Sequence, residues 1–174
     1  MPSECKTREP DDEMQARSAK ILDLFNAIKG QPLGKFPGPI PPFSKWLNGR
    51  IVAARRGEVE VELDVRPEMA NPTGLLHGGM QAAMLDDIIG ITSATLGHKG
   101  FLISIDTNIN FLGKVHVGDK VLGKGHIARE GNNVVHATAE LIDATGNTVA
   151  TASSNLLITT KEPDFIKNLK NENG

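Results

Sequence analysis

The sequence has no marked excess of charge and almost no cysteine, and these absences exclude several classes of protein. Its 174 residues hold 19 basic and 21 acidic side chains, which gives a formal net charge of -2. This balance offers no electrostatic reason to expect binding to nucleic acid or to a membrane surface. Cys5 is the only cysteine, so the chain cannot form an internal disulfide or a cysteine-rich metal site. A single thiol also fits a reducing compartment.

The sequence also lacks long apolar runs. No stretch approaches the ~18 consecutive apolar residues that a membrane-spanning helix requires. Residues 1–15 contain no apolar segment of the kind found in secretory signals. We therefore expect a single domain that is located in the cytoplasm and is long enough to bury a core.

The N-terminal part of the chain reads as an extension to that domain. Residues 1 to about 12 are polar, and we expect disorder at the tip. Residues 13–29 predict an amphipathic helix, with Ile21, Leu24, Phe25 and Ile28 on one face. Residues 31–43 are rich in proline and glycine, which predicts an extended surface connector and excludes a helix or a central strand.

The rest of the chain alternates between strand patterns and one long apolar segment. Residues 57–65 alternate strictly, with Val59, Val61, Leu63 and Val65 against acidic side chains, which is typical of a half-buried strand. Residues 79–95 are apolar almost all round, which predicts a helix buried on most sides. Further strands are predicted at residues 49–56, 101–112, 118–130, 132–144 and 147–160. This order predicts an α+β fold in which an antiparallel sheet wraps one helix. The sheet covers one face of this apolar helix, so we expect its remaining face to contact a second chain.

The stretch "NPTGLLHGGMQAAMLDD" (71–87) is the candidate site. Gly78 and Gly79 fall at the start of the predicted helix, where unpaired N–H groups form a ready site for a developing oxyanion. A plain tight turn would look the same. His77 either acts as a base or fixes this turn, and Asn71 either caps the loop or orients a water molecule.

Either of two adjacent aspartates, Asp86 or Asp87, could be the catalytic base, and residue type alone does not decide between them. Asp86 lies seven residues after Gly79, on nearly the same helix face but ~10 Å further along the axis. The two groups are therefore too far apart to act on one carbonyl. If both are catalytic, the aspartate comes from another chain at a two-fold interface. Asp87 is rotated by ~100° from Asp86 and is its rival for the role of base.

The combination of "NPTGLLHGG", an aspartate nine residues after His77 and "SIDTNINFL" from Ser104 resembles the hotdog-fold acyl-CoA thioesterases. It is most similar to the phenylacetic-acid-degradation group of the 4-hydroxybenzoyl-CoA thioesterase superfamily. The resemblance covers residues 43–160, which leaves residues 1–42 as an N-terminal extension and 161–174 as a polar tail. It implies a six-stranded antiparallel sheet around a long central helix, in dimers commonly paired again into tetramers.

The resemblance also implies roles for six residues. Asp86 would be the general base for water, or the nucleophile, since it falls on the family's acidic position. Gly79, with Gly78, would polarise the thioester carbonyl. The remaining three would position groups at the site: Asn71, His77 and Ser104. Strand alternation creates a tension, because Ser104 points away from its own helix if Ile103 and Ile105 cover that helix.

The function implied is hydrolysis of an acyl-CoA thioester, with no metal or redox cofactor and with CoA as part of the substrate. The alternative is a non-catalytic acyl-CoA or fatty-acid sensor on the same fold. Asp87 departs from the family pattern, which has a small polar residue there. Two adjacent like charges could raise one pKa.

Overall fold

The computed structural model describes residues 10–38 and 40–161. The predicted disordered tip lies largely outside these residues, as does nearly all of the polar tail. The described helices are α1 (Asp12–Ala27), α2 (Pro42–Leu47) and α3 (Gly78–Ala94). The strands are β1 (Arg50–Arg55), β2 (Glu58–Asp64), β3 (Leu102–Phe111), β4 (Lys120–Glu130), β5 (Val134–Asp143) and β6 (Thr148–Ile158). None of the described helices is long and apolar enough to span a membrane.

The six strands form one antiparallel sheet in the order β1-β2-β4-β5-β6-β3, and α3 packs across one face of it. The predicted α+β fold is therefore confirmed. Close approach of the helix depends on glycines in β4. A Cβ atom on Gly123 would lie 2.1 Å from Ile88 Cδ1, and one on Gly125 would lie 2.0 Å from Thr92 Oγ1. Larger residues at these positions would push the helix off the sheet.

Helix α1 packs at the carboxyl end of α3. Its N-cap, Asp11, accepts a hydrogen bond from the Met14 N–H at 2.8 Å. Ser18 Oγ donates to the Thr95 carbonyl at 2.6 Å, and the Arg17 side chain donates to the Gly97 carbonyl at 2.8 Å. The predicted amphipathic helix is thus a docked element of the domain surface, with Met14, Phe25 and Ile28 buried.

The connector after α1 covers the β1 edge of the sheet. The Gly30 N–H donates to the Ile51 carbonyl at 2.9 Å, and the Leu33 N–H donates to the Gly49 carbonyl at 3.0 Å. The expectation that residues 31–43 exclude a helix is wrong, because α2 begins at Pro42. Proline is tolerated in the first turn of a helix, where its missing N–H has no intrahelical partner anyway.

The β3 edge is different, because within the described residues no strand or connector pairs with its outer side. Ile105 is 56% exposed and Phe111 is 55% exposed. An uncovered edge strand with apolar side chains is a ready site for pairing with another chain.

Candidate active site

The amino end of α3 is held by the side chain of His77. His77 is the N-cap residue, and its Nδ1 accepts a hydrogen bond from the Gly79 N–H at 2.8 Å. Its backbone N–H donates to the Met69 carbonyl at 2.9 Å. These two hydrogen bonds hold His77 at the turn into the helix. The hydrogen bond to Nδ1 occupies the Gly79 N–H, which the resemblance makes an oxyanion donor.

The loop before the helix is organised by Asn71. Its Oδ1 accepts hydrogen bonds from the Thr73 N–H at 2.9 Å, from Thr73 Oγ1 at 2.7 Å and from the Leu75 N–H at 3.2 Å. Its backbone N–H also donates to the Leu75 carbonyl. This side chain caps the loop, as an Asx turn does, and so places His77 at the helix start.

Asp86 lies two turns further along α3, and Ser104 of β3 meets it. Ser104 Oγ donates to Asp86 Oδ1 at 3.1 Å within the same chain. Strand alternation had left open whether Ser104 or the neighbouring isoleucines face the helix of their own chain. Ile103 and Ile105 are exposed, and Ser104 faces its own helix. The pairing of β3 with β6 shifts register between Ser104 and Asp106, so a simple two-residue period does not hold through this strand.

The two aspartates have different surroundings. Asp86 is exposed in the single chain, although the apolar pattern of residues 79–95 predicted a helix buried on most sides. Asp87 is the partly buried member of the pair, and Ser44 Oγ of α2 donates to its Oδ1 at 2.5 Å. Burial is the main reason why the pKa of Asp87 is raised to about 6; the adjacent Asp86 charge adds to this rise, and the Ser44 hydrogen bond opposes it. Ser44 was not predicted as a site residue, because no periodic pattern marks the short helix that carries it.

A separate groove of about 860 Å³ crosses the other face of the sheet. Its walls include Glu60, Lys124 and Glu140, which are register partners across β2, β4 and β5. It includes none of the six predicted site residues. The helix amides and the carboxylate lie on the α3 side, so this groove is not the predicted reaction site. Among the described residues there is also no cluster of three or more His, Cys, Asp or Glu side chains that could hold a metal ion.

Residues 73–150 match the model of the thioesterase superfamily. This match begins in the Asn71 loop and runs through α3 into β6. Residues 73–150 are thus similar to the thioesterase superfamily, and the sheet packed on α3 has the hotdog fold. The resemblance seen in the sequence is confirmed for this segment, and the predicted fold is confirmed with it.

Known proteins similar to this hotdog domain have related names. Human acyl-coenzyme A thioesterase 13 is 29% identical over 103 residues, which is 58% of this chain and 72% of that protein. A structure of a putative thioesterase from Ralstonia eutropha, described as phenylacetic acid degradation-related, is 29% identical. It aligns with a TM-score of 0.65 over 72% of this chain and 96% of its own. The Escherichia coli PaaI protein of the phenylacetic acid degradation operon shares the fold, with a TM-score of 0.69 over 86% of this chain and 98% of its own at 15% identity.

Proposed function

We propose that the protein hydrolyses an acyl-CoA thioester to a free acid and CoA. The observation that carries this proposal is the Asp86 carboxylate, which Ser104 orients on the exposed face of α3. This helix begins at a capped His-Gly-Gly turn, in a domain similar to the thioesterase superfamily. The name of the human relative supports acyl-CoA as the substrate class.

Asp86 acts as the general base in this mechanism. Its carboxylate removes a proton from a water molecule as the water oxygen attacks the thioester carbonyl carbon. The carbonyl electron pair moves onto oxygen and returns when the carbon–sulfur bond breaks, and the proton held by Asp86 passes to the leaving CoA sulfur. A positioned general base contributes ~10²–10⁴ to a rate. Ser104 orients the carboxylate for this step.

The amino end of α3 stabilises the oxyanion. Because the Gly79 N–H donates to His77, we assign the larger share to the Gly78 N–H, with Gly79 next to it. A Cβ on Gly78 would lie 3.5 Å from the Phe111 ring, in ordinary van der Waals contact, so this ring lies close to the amino end of the helix. An oxyanion donor of this kind is worth ~3–4 kcal/mol to a transition state. His77 and Asn71 are positioning residues for this turn.

The complete site requires two chains. Gly79 and Asp86 lie seven residues apart on one helix, a rise of ~10 Å, so one carbonyl cannot contact both in the same protomer. The exposed apolar edge at β3 provides the surface at which a second copy joins. We propose a homodimer in which the amides of one α3 face Asp86 of the other, so that the two-fold axis creates two equivalent sites. Two such dimers then pair into a tetramer. Proton transfer and oxyanion stabilisation suffice for this chemistry, so we propose no cofactor.

The test is the release of CoA thiol over time from acetyl-, phenylacetyl- and decanoyl-CoA by the full chain. We expect thiol release that is linear in time and in protein concentration for at least one thioester. Binding of an acyl-CoA without any thiol release would instead support the sensor, which is the alternative on this fold.

A further inference from the structure

Helix α2 presents two exposed aromatic side chains close to α3. Phe43 and Trp46 are each 46% exposed, and their rings stack with centroids 6.0 Å apart. Leu47, on the other side of this short helix, is 1% exposed and fixes it to the core. The Arg66 side chain donates hydrogen bonds to the carbonyls of Trp46 and Leu47, at 3.0 and 2.8 Å. The aromatic pair is therefore held in place, although water reaches it.

The hydrogen bond from Ser44 locates this pair relative to the base. Ser44 follows Phe43 in sequence and donates to Asp87, which follows Asp86 on α3. By chain geometry, the Cα atoms of Ser44 and Asp86 lie at most about 12 Å apart. Asp87 is partly buried where the two helices meet. The junction of α2 and α3 therefore brings the exposed aromatic pair of α2 close to the Asp86 side chain.

We propose that α2 forms one wall of the acyl-binding site, and that Trp46 and Phe43 contact the acyl group of the thioester. This inference rests on the proposed function. It makes the segment before the hotdog strands a determinant of specificity for large acyl groups. The Ser44–Asp87 hydrogen bond then holds α2 against α3.

The ring surfaces favour an acyl group over the nucleotide part of CoA. Arg66 lies over the Trp46 ring at 4.8 Å from its centroid, and Phe43 stacks beside it. These two neighbours already occupy stacking surface, whereas a nucleotide base binds an aromatic side chain by stacking on its face. An aliphatic or aryl acyl group needs only exposed apolar surface, which this pair offers.

The intrinsic fluorescence of the protein tests the inference directly, since Trp46 is the only tryptophan in the chain. The full-length Asp86→Asn variant would be titrated with CoA, acetyl-CoA, phenylacetyl-CoA and decanoyl-CoA, with binding measured in parallel by calorimetry. We expect saturable changes in Trp46 emission with decanoyl- or phenylacetyl-CoA, and none with CoA or acetyl-CoA. Binding of all four without any change in emission would overturn the proposal. An equal change with CoA alone would also overturn it, in favour of contact with the nucleotide.

Kinetics of two variants at one position provide the second test. In Trp46→Ala we expect kcat/KM for the larger thioesters to fall about tenfold, with that for acetyl-CoA within about twofold. Trp46→Phe keeps the aromatic contact and should recover most of the loss. An equal fall for every acyl length would contradict a role in specificity. If wild type hydrolyses no thioester but the emission changes as expected, the hydrolase proposal is wrong, while the contact between α2 and the acyl group is supported.

Discussion

Two adjacent aspartates differ in this protein because their side chains leave α3 in different directions. Asp86 points to the exposed face and to Ser104, whereas Asp87 points to α2 and to Ser44. The rotation of ~100° between neighbouring helical residues is enough to place one carboxylate in water and the other in a helix junction. An exposed, oriented carboxylate is suited to activating water. A desolvated one is suited to joining two helices.

This difference predicts how folding stability changes with pH when Asp87 is replaced. The folded-state pKa of Asp87 is about 6 against an ordinary 3.8, so the folded chain binds this proton more tightly than the unfolded chain does. Ionised Asp87 therefore costs folding free energy above about pH 6, and this cost disappears as the pH falls towards 4. We expect Asp87→Asn to be more stable than wild type by about 1–3 kcal/mol at pH 7.5, and by roughly a third of that amount near pH 4.5.

Urea unfolding of both proteins at the two pH values measures this difference. Comparison at the same pH cancels the contributions of other carboxylates. Asp143, for example, accepts hydrogen bonds from Thr145 and Asn147 that lower its pKa to about 2. A stability difference that does not change between pH 7.5 and 4.5 would show that Asp87 is not desolvated as described.

At the scale of elements, the docking of α1 onto α3 depends on Gly97. This residue has a φ of +79°, and a Cβ there would lie 2.3 Å from the Met14 carbonyl oxygen of α1. We expect Gly97→Ala to destabilise the fold by more than the ~1–2 kcal/mol of left-handed strain alone. The measurements are urea unfolding and amide hydrogen exchange across α1, which should become faster.

Gly146→Ala is the matched control for this substitution. Gly146 has a φ of +89°, but no atom lies within 4 Å of the position of its Cβ. Gly146→Ala should therefore introduce the left-handed backbone strain without a steric clash, and should leave amide hydrogen exchange in α1 unchanged. Equal effects of the two substitutions would mean that α1 is not held through Gly97.

The elements with clear periodicity were predictable from the sequence, and those without it were not. The alternation of β2 and the apolar length of α3 reflect burial against one surface, so each pattern led to the observed element. In β3 the side chains of Ile103 and Ile105 are exposed and the register shifts after Ser104, so apolar alternation did not identify the face of this strand that meets α3. In α2 the two prolines concealed a helix, because proline ends a helix in most positions but is tolerated in its first turn.

For the candidate site, the sequence indicated which segments would carry its residues but could not determine their contacts. The Asn71 loop, the His77 cap and the Ser104–Asp86 pair all fall where the motif suggested. That the Gly79 N–H is taken by His77, and that Ser44 reaches Asp87, depends on side-chain directions across elements. No local pattern in a single sequence contains that information.

At the scale of the whole molecule, the two edges of the sheet differ in a way that bears on assembly. The connector hydrogen-bonds to the β1 edge, while β3 presents exposed apolar side chains. We expect Ile105→Glu to weaken self-association, because it places a charge in the proposed dimer interface. Activity should fall with the dimer fraction, since each site needs both chains.

Sedimentation velocity across a concentration series measures this change, with thiol release measured on the same samples. Ala53→Glu on the β1 edge is the matched control, since Ala53 is also an exposed edge residue. We expect it to leave both properties unchanged. Full activity in a monomeric Ile105→Glu protein would contradict a site shared between chains.

The most direct test of the proposed mechanism compares Asp86→Asn with Asp87→Asn. Both substitutions remove one carboxylate from the same helix with almost no change in shape. With the thioester that wild type hydrolyses fastest, we predict that Asp86→Asn lowers kcat by ~10²–10⁴ and that Asp87→Asn stays within about threefold of wild type. The opposite order, or an Asp86→Asn protein that retains full activity, would contradict the assignment of Asp86 as the base.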